Sequence, residues 1–289
     1  MSIDTPQAPG ANADQIAFWN AEAGETWAAM QARLDRQIQS LGALAIEALA
    51  PAAGERVIDV GCGCGQTTLA LAQRLGPTGS VLGVDVSAPM LAVARARSGE
   101  TAGVRFLQAD AQTHVFEPGG ADAVFSRFGV MFFADPIAAF ANLRAAVSPG
   151  GRLAFVCWRP MELNLFMTVP LMAALPHLTA PPAPPDPAAP GPFAFADATR
   201  VTGILARAGW SQISMAPHDE AIGGGTLEET VETALRIGPL GRVLREQPAS
   251  APAARNAVRD ALKPYVGERG VALPSASWIV TATNRRAPQ

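Results

Sequence analysis

A change of hydrophobic period across residues 55–75 limits the folds open to this chain more than any other feature. ERVIDV (55–60) is a short β-branched run that reads as a buried strand. GCGCG (61–65) interrupts it. QTTLALAQRL (66–75) then reads as a helix stopped by Gly76-Pro77. A strand feeding a glycine loop into a helix N-terminus makes a corner suited to an anion or a nucleotide, because the first-turn N–H groups face outward. The same turn can also serve only to pack strand against helix.

The unit recurs. SVLGVDV (80–86), GVRFLQAD (103–110), ADAVFSRFGV (121–130, with its exit loop) and RLAFVCW (152–158) read as strands. APMLAVARARS (88–98) and PIAAFANLRAAV (136–147) read as helices between them. SQISMAPHD (211–219) and SASWIVTATN (275–284) add two later strands. The expectation is an α/β, Rossmann-like sheet of seven mostly parallel strands, with helices on both faces.

The rest of the chain surrounds that core. Residues 1–13 are small and polar and are expected to be disordered. Residues 15–50 read as two lid helices ending before Pro51, so 1–50 form a tail and lid and 51–158 a cofactor-binding core. Residues 159–195 read as a lid insertion, its helix (160–178) interrupted by Pro170 and followed by a Pro-dense stretch (179–192). Residues 196–219 return a core helix and strand, 220–272 a helical insertion, and 273–289 the last core strand.

Hydrophobic residues make up 49% of the 289, enough for a sizeable core, and the formal net charge is −3. That balance argues against a nucleic-acid surface. No apolar run is long enough for a membrane span. The N-terminus lacks the basic start and apolar core of a signal peptide. Three cysteines without a framework spacing fit a reducing compartment, so a cytoplasmic protein is expected. Cys62-x-Cys64 has no second cysteine pair and no nearby histidine, so no metal site is expected and both read as small loop residues.

Asp59 sharpens the reading. A lone carboxylate in a buried strand needs a cationic or hydrogen-bonding partner. The spacing G-x-G-x-G followed by Gln66 does not meet the dinucleotide pattern G-x-G-x-x-G. Asp85 ends the second strand, 24 positions after Gly61, where an acid can grip a ribose diol. A ribose diol and an ammonium, without a phosphate to cradle, describe S-adenosylmethionine.

At these residues the chain resembles the class I S-adenosylmethionine-dependent methyltransferases. VIDVGCGCG is similar to their first motif, GVDVS to the second and QADAQ (108–112) to the third. SRFGVMFF (126–133) occupies the fourth-strand exit, and LRAAVSPGGRLAF (143–155) is similar to the following helix, turn and strand. Within the class the chain most resembles the small-molecule branch that includes the ubiquinone and menaquinone C-methyltransferases. The resemblance implies a role for each matching residue. Asp59 would hold the methionine ammonium. The backbone of Gly61, Gly63 and Gly65 would pass beneath the methionine and ribose. Asp85 would take the ribose hydroxyls, Met90 the adenine face, and Asp110 and the Ala111 N–H the adenine edge. Ser126 would lie beside the methionine end. Trp19 and Trp27 would close over the cofactor or simply pack on the sheet. Arg127, Trp158 and Arg159 would face the acceptor, although either arginine could equally sit in an ion pair.

A general base is needed only where the acceptor must lose a proton. The candidates are His114, His177, His218, Glu162, Asp219 and the single tyrosine, Tyr265; His177 and His218 rank above His114 because they fall in the regions expected to cover the pocket. The apolar stripe of residues 163–175 suggests an apolar or aromatic small-molecule acceptor, and could also serve as a lid core or a homodimer contact. Two other readings stay open: a methyltransferase-like domain that binds the cofactor without catalysis and acts through a partner, and a nicotinamide-dependent oxidoreductase, against which Asp59 and Gln66 count.

Overall fold

A computed structural model describes residues 12–183 and 186–285. The tail expected to be disordered lies outside them up to residue 11; from Asn12 onward it is ordered, and a helix begins at Ala13.

Three helices, not two, precede the core: α1 (Ala13–Asn20), α2 (Glu22–Ala29) and α3 (Gln31–Leu49). The chain breaks at Ala21 and Met30, which carry no breaker signal. The core follows as β1 (Arg56–Val60), α4 (Gln66–Leu75), β2 (Ser80–Asp85), α5 (Ala88–Ser98), β3 (Val104–Gln108), β4 (Ala121–Arg127), α6 (Pro136–Ala146) and β5 (Val147–Trp158). After it come α7 (Leu165–Ala174), α8 (Ala198–Arg207), β6 (Ser211–Gly225), α9 (Leu227–Arg236), α10 (Gly238–Glu246), α11 (Ala251–Leu262), the two-residue β7 (Val266–Gly267) and β8 (Gly270–Thr283).

Seven strands form the sheet in the order β3-β2-β1-β4-β5-β8-β6, and β7 adds only a short pairing to β8. β1 to β5 pair in parallel, while β8 lies antiparallel between β5 and β6. The inner strands β1 and β4 are buried almost throughout, which requires helices on both faces. Phe125, Phe140, Phe155 and Leu143, all fully buried, stand at the centre of the main core. Strand order reverses between β2-β1 and β1-β4, so the carboxyl ends of these strands flank a crevice, the usual ligand position in such sheets.

Two expectations need correction. β6 continues to Gly225 and β8 starts at Gly270, so residues 220–225 and 270–272 extend the sheet rather than belonging to a helical insertion. AIGGG carries no strand periodicity, but the ladder between the two strands pairs it all the same, with a register shift between Gly223 and Gly225 absorbing the irregularity. Likewise α7 runs through Pro170, which is buried. Its packing on α10 and α11 outweighs the one hydrogen bond a proline cannot make. α7, α9, α10, α11 and the start of β8 share a second apolar core around Val231, Val258, Leu262 and Val271. Among the described residues no helix is long and apolar enough to cross a membrane.

Candidate cofactor and acceptor site

β1, β2 and β3 each deliver an acid to the carboxyl edge. Asp59 is fully buried. Its Oδ2 accepts hydrogen bonds from Thr67 Oγ1 at 2.8 Å and Thr68 Oγ1 at 2.7 Å, both in the first turn of α4. Its Oδ1 has no partner. Burial pushes the carboxyl up to about 6; the two threonine hydroxyls, and then Arg127, oppose that shift. A buried carboxylate oxygen facing no donor is costly unless a cation arrives.

Asp85 holds the loop itself. Oδ2 accepts the Gly63 N–H at 2.8 Å and Oδ1 the Ser87 N–H at 2.9 Å. Burial raises its pKa and these backbone donors restrain the rise. Gly61 has φ +67°, and an added Cβ would stand 2.6 Å from Gly129 Cα. The loop therefore presses against the β4 exit with no side chain between them. Met90 is buried beside the loop, its Sδ 3.8 Å from where a Gly63 Cβ would sit, where a flat ring could lie against it. Asp110 Oδ1 accepts the Gln112 N–H at 3.0 Å. Ala111 is buried, its carbonyl held by Asn142 Nδ2 at 3.0 Å.

The β4 exit is tightly built. Ser126 is fully buried and its Oγ accepts the Gly129 N–H at 3.1 Å, so it shapes the exit loop. Phe128 sits at φ +62°, an uncommon conformation for a bulky residue. Its ring stacks on Trp158 at 4.0 Å, and Phe166 of α7 meets Trp158 at 4.9 Å. These three rings form an aromatic wall beside the loop.

Arg127 is not open toward an acceptor. Its guanidinium is bonded to Gln66 Oε1 and lies 3.4 Å from Asp35 Oδ1. Burial lowers its pKa, and Asp35 followed by Asp59 holds it charged. Asp35 also pairs with Arg97 at 3.0 Å, and Arg97 reaches the Cys64 carbonyl at 2.7 Å. One acid on α3 thus ties together the β4 exit, α5 and the glycine loop. Nothing in the sequence around Asp35 marks it, because its partners lie far away along the chain. Thr67 and Thr68 were not singled out from the sequence either, although two hydroxyls in the first turn after the loop are the signal that could have found them.

Arg159 likewise sits in an ion pair, 2.5 Å from Asp219 Oδ1, with its guanidinium over the Trp278 ring. Trp19 packs edge-on against Phe18, Trp27 and Phe132, and its carbonyl accepts Ser87 Oγ at 2.7 Å, so both tryptophans belong to a cover anchored at the β2 exit. Arg245 of α10 stands over Phe18, so the helical insertion and the N-terminal helices meet. Of the candidate bases, His177 is exposed on α7's trailing turn, and Tyr265 packs against the second core. His218 Nε2 is buried and 3.7 Å from Glu220 Oε1, which Ser40 Oγ also engages at 2.8 Å. Among the described residues no group of three or more His, Cys, Asp or Glu could hold a metal ion. Burial raises Cys62 well above its usual range and Cys64 to about 12, so both stay protonated thiols.

Residues 57–151 match a family described as a methyltransferase domain. A demethylmenaquinone methyltransferase of Thermus thermophilus is 40% identical over 116 residues, covering 39% of this chain and 52% of the relative. An aklanonic acid methyltransferase of a Streptomyces species is 32% identical over 117 residues, covering 40% and 53%. The chain thus spans about half the length of these curated relatives. Phosphoethanolamine N-methyltransferase 2 of Haemonchus contortus, solved with S-adenosyl-L-methionine, shares the fold at a TM-score of 0.52 and 19% identity, over 86% of this chain and 53% of that one.

Proposed function

We propose that this chain, whose residues 57–151 form a class I S-adenosylmethionine-dependent methyltransferase domain, transfers a methyl group from that cofactor to a small, flat, largely apolar acceptor. The observation that carries the reading is the unpartnered, buried Oδ1 of Asp59 beside a glycine loop pinned by Asp85. A nicotinamide cofactor has no ammonium to meet that oxygen.

The residues present fit the cofactor. Asp59 would hold its ammonium, and Arg127, charged and close to Asp59, its carboxylate. Asp85 would take the ribose hydroxyls, Met90 the adenine face, and Asp110 the adenine amino group. When bound, S-adenosylmethionine supplies a methyl group already activated on a sulfonium. The chain's own task is then to orient the acceptor and exclude water, and such positioning can be worth about 7–11 kcal/mol. Phe128, Trp158 and Phe166 supply a wall against which a planar acceptor can stack. The two relatives' names give demethylmenaquinone and aklanonic acid as the acceptors of those proteins, and we extend that kind of small-molecule acceptor to this chain. His218, whose buried Nε2 has no hydrogen-bond partner of its own, is the base we assign where the acceptor must lose a proton.

Calorimetric titration of the purified chain with S-adenosylmethionine, S-adenosylhomocysteine and NADH tests the cofactor. The expected result is micromolar binding of the first two and none of the third. No binding of either adenosyl compound would leave the fold standing and move the weight to a domain that acts through a partner.

A further inference from the structure

Asn12 lies far upstream of the matched methyltransferase region, yet it reaches the adenine end of the site. It is 6% exposed. Its Nδ2 donates to Asp110 Oδ1 at 3.3 Å, and its Oδ1 is buried with no partner. Asp110 Oδ1 already accepts the Gln112 N–H, whereas Oδ2 has only Thr113 Oγ1 at 3.4 Å. Two acceptor oxygens, Asp110 Oδ2 and Asn12 Oδ1, are thus left short of donors on neighbouring groups.

The amide is held in place at both ends of α1. The Asn12 carbonyl accepts the Ile16 N–H at 3.0 Å and so opens the helix. At the other end Asn20 Nδ2 donates to the Val86 carbonyl, and Asn20 Oδ1 accepts the Ala88 N–H, each at 2.9 Å. α1 therefore bridges the exits of β2 and β3, the two loops assigned above to ribose and adenine.

We propose that Asn12 is a further adenine-recognising residue, its Oδ1 accepting one hydrogen of the 6-amino group while Asp110 Oδ2 accepts the other. The inference rests on the reading that Asp110 takes the adenine edge. An exocyclic amine offers two N–H donors, and this pair of oxygens matches both. A 6-oxo purine would turn a carbonyl oxygen toward the two acceptors and leave all three unpaired. Asn12 thereby makes the N-terminal cover part of cofactor selection.

The test is calorimetry on the full chain, wild type and Asn12→Ala, with S-adenosylhomocysteine and its 6-oxo counterpart, S-inosylhomocysteine. Thermal melting of each protein confirms folding, which a change in the turn that opens α1 leaves intact. Asn12→Ala is expected to lose about tenfold in affinity for the adenosyl compound, the worth of one hydrogen bond to a buried partner. Its affinity for the inosyl compound should stay unchanged, narrowing the preference by the same factor. Equal losses for both ligands would make Asn12 a plain structural cap and overturn the proposal. Tighter adenosyl binding by the variant would also overturn it, as the mark of an amide that occupies the adenine seat and must be expelled. If wild type bound neither ligand, the cofactor reading itself would fall, a result distinct from the other two.

Discussion

Exchanging Asp59 for Asn should stabilise the cofactor-free protein while abolishing most of its cofactor affinity. Asn keeps the shape, and its Oδ1 can accept the Thr67 and Thr68 hydroxyls that Oδ2 accepts now. What disappears is the charge. Folding raises this carboxyl from the usual 3.8 to about 6. The folded protein therefore holds the proton more tightly than the unfolded chain between those values. Stability from this group is present below pH 3.8 and is lost as pH climbs to 6; above that the ionised group costs the empty protein about 3 kcal/mol. The Asn variant escapes that cost, so at pH 8 and without ligand it should melt about 5 °C or more above wild type. Near pH 4 the gap should close. Ligand binding runs the other way. An ammonium without its buried counter-charge forfeits about 3–5 kcal/mol, a loss of roughly a hundredfold or more in affinity. The assays are thermal melting at pH 4 and pH 8 and titration with S-adenosylhomocysteine. A variant that melts at or below wild type at pH 8, or that binds within threefold of it, would refute the reasoning.

Asp85→Ala removes the acceptor of the Gly63 and Ser87 N–H groups along with the ribose contact we propose; affinity for S-adenosylhomocysteine should fall tenfold or more in calorimetry, in a protein that still folds. Asp35→Ala leaves the buried Arg127 guanidinium without its counter-charge, so both the melting temperature and the cofactor affinity should drop, and Asp35→Asn should recover part of the first but not the second. Gly24→Ala should loosen the N-terminal cover, because the new methyl would stand 2.0 Å from the Trp19 carbonyl; faster proteolysis ahead of α3 is the readout, and unchanged resistance would count against a close-packed cover. Cys64→Ser should leave cofactor binding unchanged, and Cys64 in wild type should alkylate slowly at pH 8, since its thiol stays protonated to about pH 12.

The strand ends that carry the residues we propose for the cofactor were legible in the sequence. Asp59, the glycines after it, Asp85 and Asp110 are fixed by local pattern: a buried strand must end, the loop after it must admit backbone close to a ligand, and the residue at the strand end then points into the crevice. Helices α4 and α5 match the sequence reading to the residue, because a glycine stop follows each apolar stripe and Ser87 caps α5. The alternation of periods also determined the sheet and its parallel core.

Tertiary structure decided what covers and tunes that site. Asp35 meets Arg127 across 92 residues, and Asn12 meets Asp110 across 98; neither pairing leaves a trace in any short window of the chain. Pairing between β6 and β8 turned a glycine-rich segment into strand, and the second core carried a helix through Pro170. Of the two readings left open for Arg127 and Arg159, the fold realises the ion pair for both, because it brings Asp35 and Asp219 within reach of their guanidinium groups. Sequence set the chemistry at the strand ends, where neighbours along the chain are also neighbours in space. The cover, the ion pairs and the aromatic wall are made of residues that only folding brings together.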